Sequence, residues 1–557
     1  MALNIAGVIA VVVFYILILG TGIWASRKAK EAQKTSTGDR TEIVLLGDRK
    51  INLLVGIFTM TATWVGGGFL LGVAEAVYTP NMGLIWALMP IQCSVSFIIG
   101  GLFFAKPMRD NKYVTMFDPF QKKYGNVLCG ALVLPALLVD VLWVSCTLLS
   151  LGITMTVILE LPFTYSVCIS AAVAIVYTLL GGLYSVAYTD IIQLALIFFS
   201  LWLCVPFLLL NPASPNIAQT AFNNTVQAPW VGSLEKDVVW RWIDDGLMLA
   251  LGSVSFQCFQ QRTLSASSSR TAQLTCFAAA VMIVILGIPP VLIGAVAAES
   301  QDWNLTLYGS PPPYERGQQM MVLPLTLQNL TPSFISVIGV GAVAAAVMSS
   351  TDSALLSATS VFSSNIYKNI LRKQASDREM QWVFRITVVV VGVAGTSITF
   401  FTKSTLVLWL LGADVSYTLI LPHLVSVLFF KVTNEYGAMV GYAVGLTVRI
   451  LLGEKSIGLP VVLHLPGCTL EDGIYVQKFA FRTVAMLCTQ ITIVACSALA
   501  LVLFNSGLLP ERWDIYKVKR QSAASPAHAV TQNLKEEAKG DAECDENKDA
   551  LSLQPML

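Results

Sequence analysis

One stretch of this chain combines the composition of a membrane-spanning helix with residues that break a helix. Midway through the apolar run from Ile51 to Tyr78, Trp64 is followed by Val65 and three consecutive glycines, Gly66–Gly68. Glycine is costly inside a helix, and backbone groups freed at membrane depth are tolerated only where they are buried in protein or line a cavity. Interrupted apolar segments are the best sequence indication of a binding site in a secondary transporter. We therefore predict a broken helix and a buried binding site here.

The chain as a whole has the composition of a polytopic membrane protein. Of its 557 residues, 55% are hydrophobic and 12% are charged, whereas an average soluble domain has ~25% charged residues. Runs of about 20 apolar residues can cross ~30 Å of hydrocarbon, so they predict spanning helices in a lipid bilayer. The predicted fold class is all-α, with thirteen transmembrane helices. The runs lie near residues 5–25, 51–78, 84–105, 126–159, 163–183, 188–210, 239–261, 273–298, 333–364, 380–400, 405–430, 435–453 and 480–504.

The distribution of basic residues predicts the orientation in the membrane. Lysines and arginines are concentrated in the loops after the first, third and ninth runs, which therefore face the cytoplasm by the positive-inside bias. The N-terminus is then extracellular and the C-terminus cytoplasmic. Loops 211–238 and 299–332 carry one basic residue each and contain glycosylation sequons at Asn223 and Asn304. We predict that both loops are extracellular.

Six acidic residues lie within or at the edge of the predicted spans, where an ionised carboxylate is expensive unless it is paired or faces water. Basic residues at comparable depth are scarce. This excess of negative charge favours a cation as the ligand, whether an inorganic ion, an organic ammonium group or both. For Asp190 and Asp244, a position nearer the interface is the alternative. The six residues are Glu75, Asp140, Asp190, Asp244, Asp352 and Asp414.

Asp352 is the strongest candidate for an ion ligand. It lies deep in the ninth run, within a serine-rich segment that includes Ser349, Ser350 and Ser353. Hydroxyl and carboxylate oxygens suit a hard monovalent ion such as sodium. Serine and threonine side chains also bond back to their own helix or join neighbouring helices, and this structural role is the alternative.

Two tryptophans are candidates for contact with an organic cation. Trp64 and Trp143 lie far from the predicted interfaces, where membrane tryptophans otherwise concentrate. An aromatic ring attracts a cation within ~6 Å of its centroid, and aromatic cages recognise quaternary ammonium groups. Asp140 precedes Trp143 by three residues, so charge and ring could project from one helix face. Ordinary helix packing is the alternative for both tryptophans.

Enzymatic function is disfavoured. The chain has no recognisable Ser/His/Asp constellation, metal-ligand cluster or phosphate-cradling loop attached to a soluble domain, and its three histidines are widely scattered. We predict neither an enzyme nor a nucleic-acid partner, and no cofactor other than coupling ions. A homo-oligomer and trafficking adaptors on the C-terminal tail are left open.

Five segments of the chain resemble the sodium/solute symporters and, within that family, the choline-transporting members. They are Thr61–Gly68, Ala74–Tyr78, Gly100–Arg109, Gly181–Asp190 and Ala345–Ser350. The resemblance extends from the first run to about residue 510. It implies a LeuT-type 5+5 inverted-repeat core, with one helix before it and two after it.

The apolar runs, the loop charges and the resemblance together predict a division of the chain into segments. Residues 1–50 hold the first helix and a cytoplasmic loop, and 51–210 form the first repeat. After the extracellular loop 211–238, residues 239–430 form the second repeat, which includes loop 299–332. Two further helices occupy 431–510, and the polar composition of 511–557 predicts a disordered cytoplasmic tail.

Carried over residue by residue, the resemblance implies three groups of site residues. The sodium site comprises Ala62, Val65, Ala346, Ser349 and Ser350, the first three through backbone carbonyls. The second cation position comprises Asp190, Asp352 and Ser353. The substrate site comprises Trp64, Trp143, Asp140, Cys93 and Phe256, with Phe256 at a second helix break over Gly252–Phe256.

The function implied is sodium-coupled, chloride-dependent uptake of choline across the plasma membrane, at presynaptic terminals, for acetylcholine synthesis. Phe256 and Cys93 depart from the family pattern of choline transporters, which have tryptophan and tyrosine there. Two alternatives remain. One is transport of a different quaternary amine or small solute, and the other is an uncoupled sodium leak or sensor.

Overall fold

The computed structural model describes residues 16, 20–24, 27 and 45–519, except 81, 181–182, 213, 215, 223–228, 300–302, 304–305, 307, 403 and 472. Most of the predicted first span (5–25), the sequons at Asn223 and Asn304 and the tail beyond residue 519 lie outside the described residues.

The described residues from 45 onward are largely helical, and a helix covers each apolar run predicted in that range. The helices are α1 Leu53–Trp64, α2 Gly67–Tyr78, α3 Met89–Asp110, α4 Asp118–Leu159, α5 Phe163–Leu180, α6 Leu183–Leu209, α7 Val239–Gly252, α8 Gln257–Ser265, α9 Ser269–Glu299, α10 Val322–Leu330, α11 Ser333–Leu371, α12 Asp377–Ile398, α13 Thr405–Phe429, α14 Glu435–Leu451 and α15 Phe481–Asn505.

Several helices begin at a polar side chain that accepts a hydrogen bond from a backbone N–H group of the first turn. Asn52 accepts from the Val55 amide at the start of α1, and Ser404 does the same at the start of α13. Such caps satisfy amides that have no partner within the helix. Local sequence therefore determines where these helices start, even where both faces of the helix are apolar.

The predicted helix break is present. Helices α1 and α2 meet at an angle of 51°, and Gly66 between them is extended, with φ −114° and ψ −162°. The second break, predicted over Gly252–Phe256, is also present. A 3-10 turn at Ser253–Ser255 ends α7, and Phe256 is extended with φ −83° and ψ 135° before α8 begins.

Within the described part of the chain, eight helices are long and apolar enough to cross a membrane, or nine with the bent pair α1 and α2. The prediction of thirteen spans therefore stays a prediction. The run predicted at 239–261 consists of two short helices, and α14 has 17 residues.

Two features correct the predicted secondary structure. Loop 299–332 contains α10, a nine-residue helix that packs against α2 and α11. It is too short to span a membrane, but its apolar side chains are buried. The segment before α15 forms a hairpin in which Thr469–Glu471 pairs antiparallel with Ile474–Val476, so the fold is not purely helical.

Helix α11 is the central element of the packing. Nearly all its residues from Gly339 to Val361 are buried, and it contacts α4, α5, α6, α10 and α12 as well as both broken helices. Helix α9 packs along α1, α2 and α3. The first break lies against α11, and Ser350 of this helix reaches the Ala62 carbonyl there. The second break lies against α13, where Ser255 pairs with Ser416.

Candidate functional site

The glycines of the first break allow its backbone to approach two neighbouring helices closely. A Cβ atom on Gly66 would lie 1.9 Å from the Oγ of Ser350 on α11, and one on Gly67 would lie 2.1 Å from the Cβ of Ser150 on α4. Real side chains cannot approach so closely. Gly66 is extended but not in a left-handed conformation, so the requirement for glycine here is steric.

Four aromatic rings meet at the two breaks. The Trp64 ring stacks on Phe256, with centroids 5.6 Å apart and an angle of 20°, and meets Trp143 edge-on at 5.1 Å. Trp143 lies 5.2 Å from Phe256. Trp409 of α13 lies 5.5 Å from Trp143 and 6.4 Å from Trp64. The predicted rings therefore meet, and Trp409 joins them without having been predicted.

These rings line one cavity together with the glycines of the first break, Ser350 and residues of α4 and α13. The indole Nε1 atoms of Trp64, Trp143 and Trp409 are buried and have no hydrogen-bond partner among the described residues. The Trp64 and Phe256 faces are stacked on each other, so a ligand would reach them only after these rings separate. The indole N–H groups could then donate to an acceptor on it.

Two predicted substrate residues do not line this cavity. Asp140 accepts a hydrogen bond from Ser357 of α11 at 2.8 Å, while Val139 and Trp143 of the same helix face the cavity. Residues three apart differ by about 60° around a helix, and α4 has a different neighbour on each of these sides. Cys93 is fully buried on α3 but is likewise absent from the lining.

Three of the predicted sodium ligands lie together at the first break. Ser350 Oγ lies 3.3 Å from the carbonyl oxygens of Ala62 and Ala346, and Val65 is the first residue after α1. Unwound carbonyls and hydroxyls beside a broken helix are suitable ligands for sodium. The Ser349 hydroxyl is directed towards Asp190, because it donates to Asp190 Oδ1 at 2.5 Å.

The second cation position contains a positive side chain that sequence reasoning missed. Arg262 of α8 is 2% exposed. Its Nη2 donates to Ser353 Oγ at 2.6 Å and lies 3.8 Å from Asp190 Oδ2, and its Nε donates to Thr63 Oγ1 at 3.1 Å. Asp352 Oδ1 accepts from Thr178 of α5 at 2.7 Å, and its Oδ2 is buried without a hydrogen-bond partner among the described residues. Two of the three predicted ligands, Asp190 and Ser353, are therefore in contact with a guanidinium.

Two other predicted carboxylates, Asp414 and Asp244, also have protein partners that sequence reasoning missed. Arg449 Nε donates to both carboxylate oxygens of Asp414, at 3.0 and 2.8 Å. Asp244 accepts from the backbone amides of Arg482 and Thr483. Both arginines come from the C-terminal helices, so their positions follow from tertiary packing and not from neighbouring sequence. These two acids stabilise helix packing and are not available to a ligand.

The fold and site together define a class of protein: a helical membrane protein with a ligand cavity at two broken helices and an oxygen cluster suited to a monovalent cation, as in secondary transporters. The chain belongs to the sodium:solute symporter family, whose model matches residues 45–445.

Individual relatives agree with this assignment. A Homo sapiens protein named high affinity choline transporter 1 is 49% identical over 517 residues, which are 93% of this chain and 89% of that protein. Its Torpedo marmorata counterpart is 48% identical over 519 residues, 92% of this chain and 89% of that protein. A solved structure of a Na+-coupled sialic acid symporter, in a substrate-bound outward-open state, superposes with a TM-score of 0.69 at 15% identity, covering 88% of this chain and 97% of that one. This last likeness concerns the fold alone.

Proposed function

We propose that this protein is a symporter that imports choline together with sodium. The observation that carries the proposal is the group of four rings at the helix breaks, Trp64, Trp143, Phe256 and Trp409, in a chain 49% identical to a named choline transporter. A quaternary ammonium group has no N–H to donate, so ring faces are its natural partners. The hydroxyl of choline would accept from one of the unpaired indole N–H groups.

Sodium in this proposal binds where α11 meets the first break. The ligands are the carbonyl oxygens of Ala62, Val65 and Ala346 and the hydroxyls of Ser349 and Ser350. Support comes from the contact of Ser350 Oγ with two of these carbonyls. Because Val65 directly follows Trp64, an ion that joins α1 to α11 also positions the Trp64 ring. Sodium binding would thereby favour substrate binding.

The core is proposed to consist of two inverted repeats, residues 51–210 and 239–430. The breaks support this division, because one follows Trp64 in the first helix of the first segment and the other lies at Phe256 in the first helix of the second. In such folds the two repeats rock around a site near the bilayer midplane. The extracellular N-terminus, the cytoplasmic C-terminus and the plasma-membrane location belong to the same proposal.

The proposal is tested by uptake of labelled choline into proteoliposomes containing the purified chain, with an inward sodium gradient. We expect accumulation that stops when lithium replaces sodium, whereas liposomes without protein show none. Replacing chloride by gluconate tests the chloride dependence expected from the resemblance. Sodium currents without choline uptake would instead indicate the uncoupled leak, and the absence of any sodium-dependent signal would refute the proposal.

A different quaternary amine is a second candidate, and Phe256 favours it. Phenylalanine is a weaker cation–π partner than the tryptophan expected there from the family pattern, and its smaller ring leaves more room beside Trp64 and Trp143. Inhibition of labelled uptake by a series of quaternary amines of increasing size distinguishes the two. Choline as the strongest competitor supports the first proposal. Delivery of choline to acetylcholine synthesis, a presynaptic location, oligomerisation and tail-binding adaptors remain predictions.

A further inference from the structure

We infer that Arg262 is a tethered cation that occupies the second cation position, so that this chain binds one sodium ion, and not two, where α1 and α11 meet. The inference rests on the sodium coupling proposed above and deepens it. It concerns how many ions bind, and it does not depend on which organic substrate is carried.

The geometry of the guanidinium is that of a bound cation with protein ligands. Its Nη2 donates to Ser353 Oγ at 2.6 Å and lies 3.8 Å from Asp190 Oδ2. Its Nε lies 3.1 Å from Thr63 Oγ1, which in turn is 3.2 Å from Ser353 Oγ. Two of the oxygen atoms that a second sodium would use, those of Asp190 and Ser353, are therefore already in contact with a positive charge.

The second oxygen neighbour of this position, Asp190, has further protein partners. Asp190 accepts from Thr59 and from Ser349, each at 2.5 Å. Asp352 Oδ1 accepts from Thr178, whereas Asp352 Oδ2 and Arg262 Nη1 are buried without a hydrogen-bond partner among the described residues. A second sodium would have to displace Arg262 and leave a fully buried guanidinium without its carboxylate, which is strongly unfavourable.

The local charges also disfavour a second ion. Asp190 and Arg262 are at most 2% exposed, and Arg262 Nη2 lies 3.8 Å from Asp190 Oδ2, so the guanidinium already compensates this carboxylate. A second sodium beside it would place two positive charges next to Asp190 in a region of low dielectric, where an uncompensated charge is costly.

The position of Arg262 also connects the two broken helices. It lies on α8, six residues after the break at Phe256, and its partners Thr63 and Ser353 lie on α1 and α11. Thr63 directly precedes Trp64, and Ser353 lies three residues after Ser350. One tethered charge therefore joins α8 to α1 and α11, which a freely exchanging ion would do only while it is bound.

The experiment counts sodium ions on the purified protein without any organic substrate. A ligand that binds only the folded state stabilises it by an amount that grows, above its Kd, by RT for each unit of ln[ligand] and each ion bound. The thermal unfolding temperature is measured against ln[Na+], with potassium keeping the ionic strength constant. Ser350→Ala, which removes a ligand of the first site, provides the reference for loss of one ion.

The slope of the unfolding temperature against ln[Na+] is expected to differ between variants. Ser350→Ala should remove most of the wild-type slope, and Ser353→Ala should leave the slope unchanged. Arg262→Gln should about double the slope, because a second sodium can then reach Asp190. The double variant Arg262→Gln/Asp190→Asn should return to the wild-type slope.

Two results would overturn the inference: a wild-type slope that Ser353→Ala halves, or a slope that Arg262→Gln leaves unchanged. If Arg262→Gln fails to fold, the comparison of wild type with Ser353→Ala still decides between one ion and two. Since choline is absent throughout, failure of the choline proposal does not affect this measurement.

Discussion

Replacement of Trp64 tests whether the ring cluster recognises charge or only shape. Trp64 is 1% exposed, and a desolvated tryptophan contributes about 2 kcal/mol to cation binding. Since 1.4 kcal/mol is a factor of ten, Trp64→Leu should weaken choline binding about thirtyfold beyond any loss of apolar contact. Trp64→Phe, which keeps a weaker ring, should weaken choline binding roughly fivefold. For the neutral isostere 3,3-dimethylbutan-1-ol, Trp64→Leu should weaken binding only by the contribution of the lost apolar contact.

The assay is competition for labelled choline uptake by unlabelled choline and by this isostere, and the measured quantity is the ratio of their inhibition constants. A matched control is Phe97→Leu, because Phe97 contacts the Trp64 ring at 5.7 Å but does not line the cavity. It should leave the ratio unchanged even if it lowers stability. An equal loss of choline and isostere affinity in Trp64→Leu would show that the ring acts through packing and not through its interaction with a cation.

Two further substitutions test the ion site and the largely buried ion pair between Arg449 and Asp414. Gly66→Ala would place a Cβ 1.9 Å from Ser350 Oγ; overpacking costs ~1–3 kcal/mol, so we expect about a tenfold rise in the sodium concentration for half-maximal uptake. Gly341→Ala, whose Cβ would meet nothing within 4 Å, is the control, and an equal effect of both would contradict the steric argument. Asp414→Asn removes one of two carboxylate partners of the Arg449 guanidinium, the other being Glu454, and should destabilise the fold by about 1–3 kcal/mol. Asp237→Asn, at an exposed pair, should leave the unfolding temperature nearly unchanged, and equal shifts in the two variants would refute this prediction.

The helix breaks could be predicted because their cause is local. Three consecutive glycines follow Trp64, and Gly252 begins the segment that ends in the extended Phe256. Each break depends on residues that are adjacent in the chain, so sequence inspection is sufficient. The same holds for the helix starts at Asn52 and Ser404, where one side chain caps the first turn.

The partners of the buried charges could not be predicted, because they come from distant parts of the chain. Arg262 contacts Asp190 across 72 positions of sequence, and α8 turns inward only because the preceding residues break the helix. A better prediction would have considered the polar run from Gln260 to Arg262, which is unusual directly after an apolar span. Trp409 had no local signal at all, since a lone tryptophan in an apolar helix is usually a packing residue.

The spacing of Asp140 and Trp143 shows a limit of arguments from helix periodicity. Two residues three positions apart share a broad face of an isolated helix. Helix α4, however, packs against both α11 and α13, so that face is divided between two neighbours. Asp140 therefore reaches Ser357, and Trp143 reaches the ring cluster. Periodicity predicts which residues lie near each other but not which neighbouring helix each one contacts.

The ring distances connect substrate binding with movement of the two breaks. Trp64 and Phe256 stack with centroids 5.6 Å apart, whereas a cation held between two rings lies ~6 Å or less from each centroid. A trimethylammonium group placed between these faces would therefore require the rings to separate by several ångströms. Trp64 is the last residue of α1 and Phe256 directly precedes α8, so this separation displaces the helix ends at both breaks. A bound ammonium group and the direct stacking of Trp64 on Phe256 require the same ring faces and exclude each other. Substrate binding is therefore expected to change the conformation at both breaks.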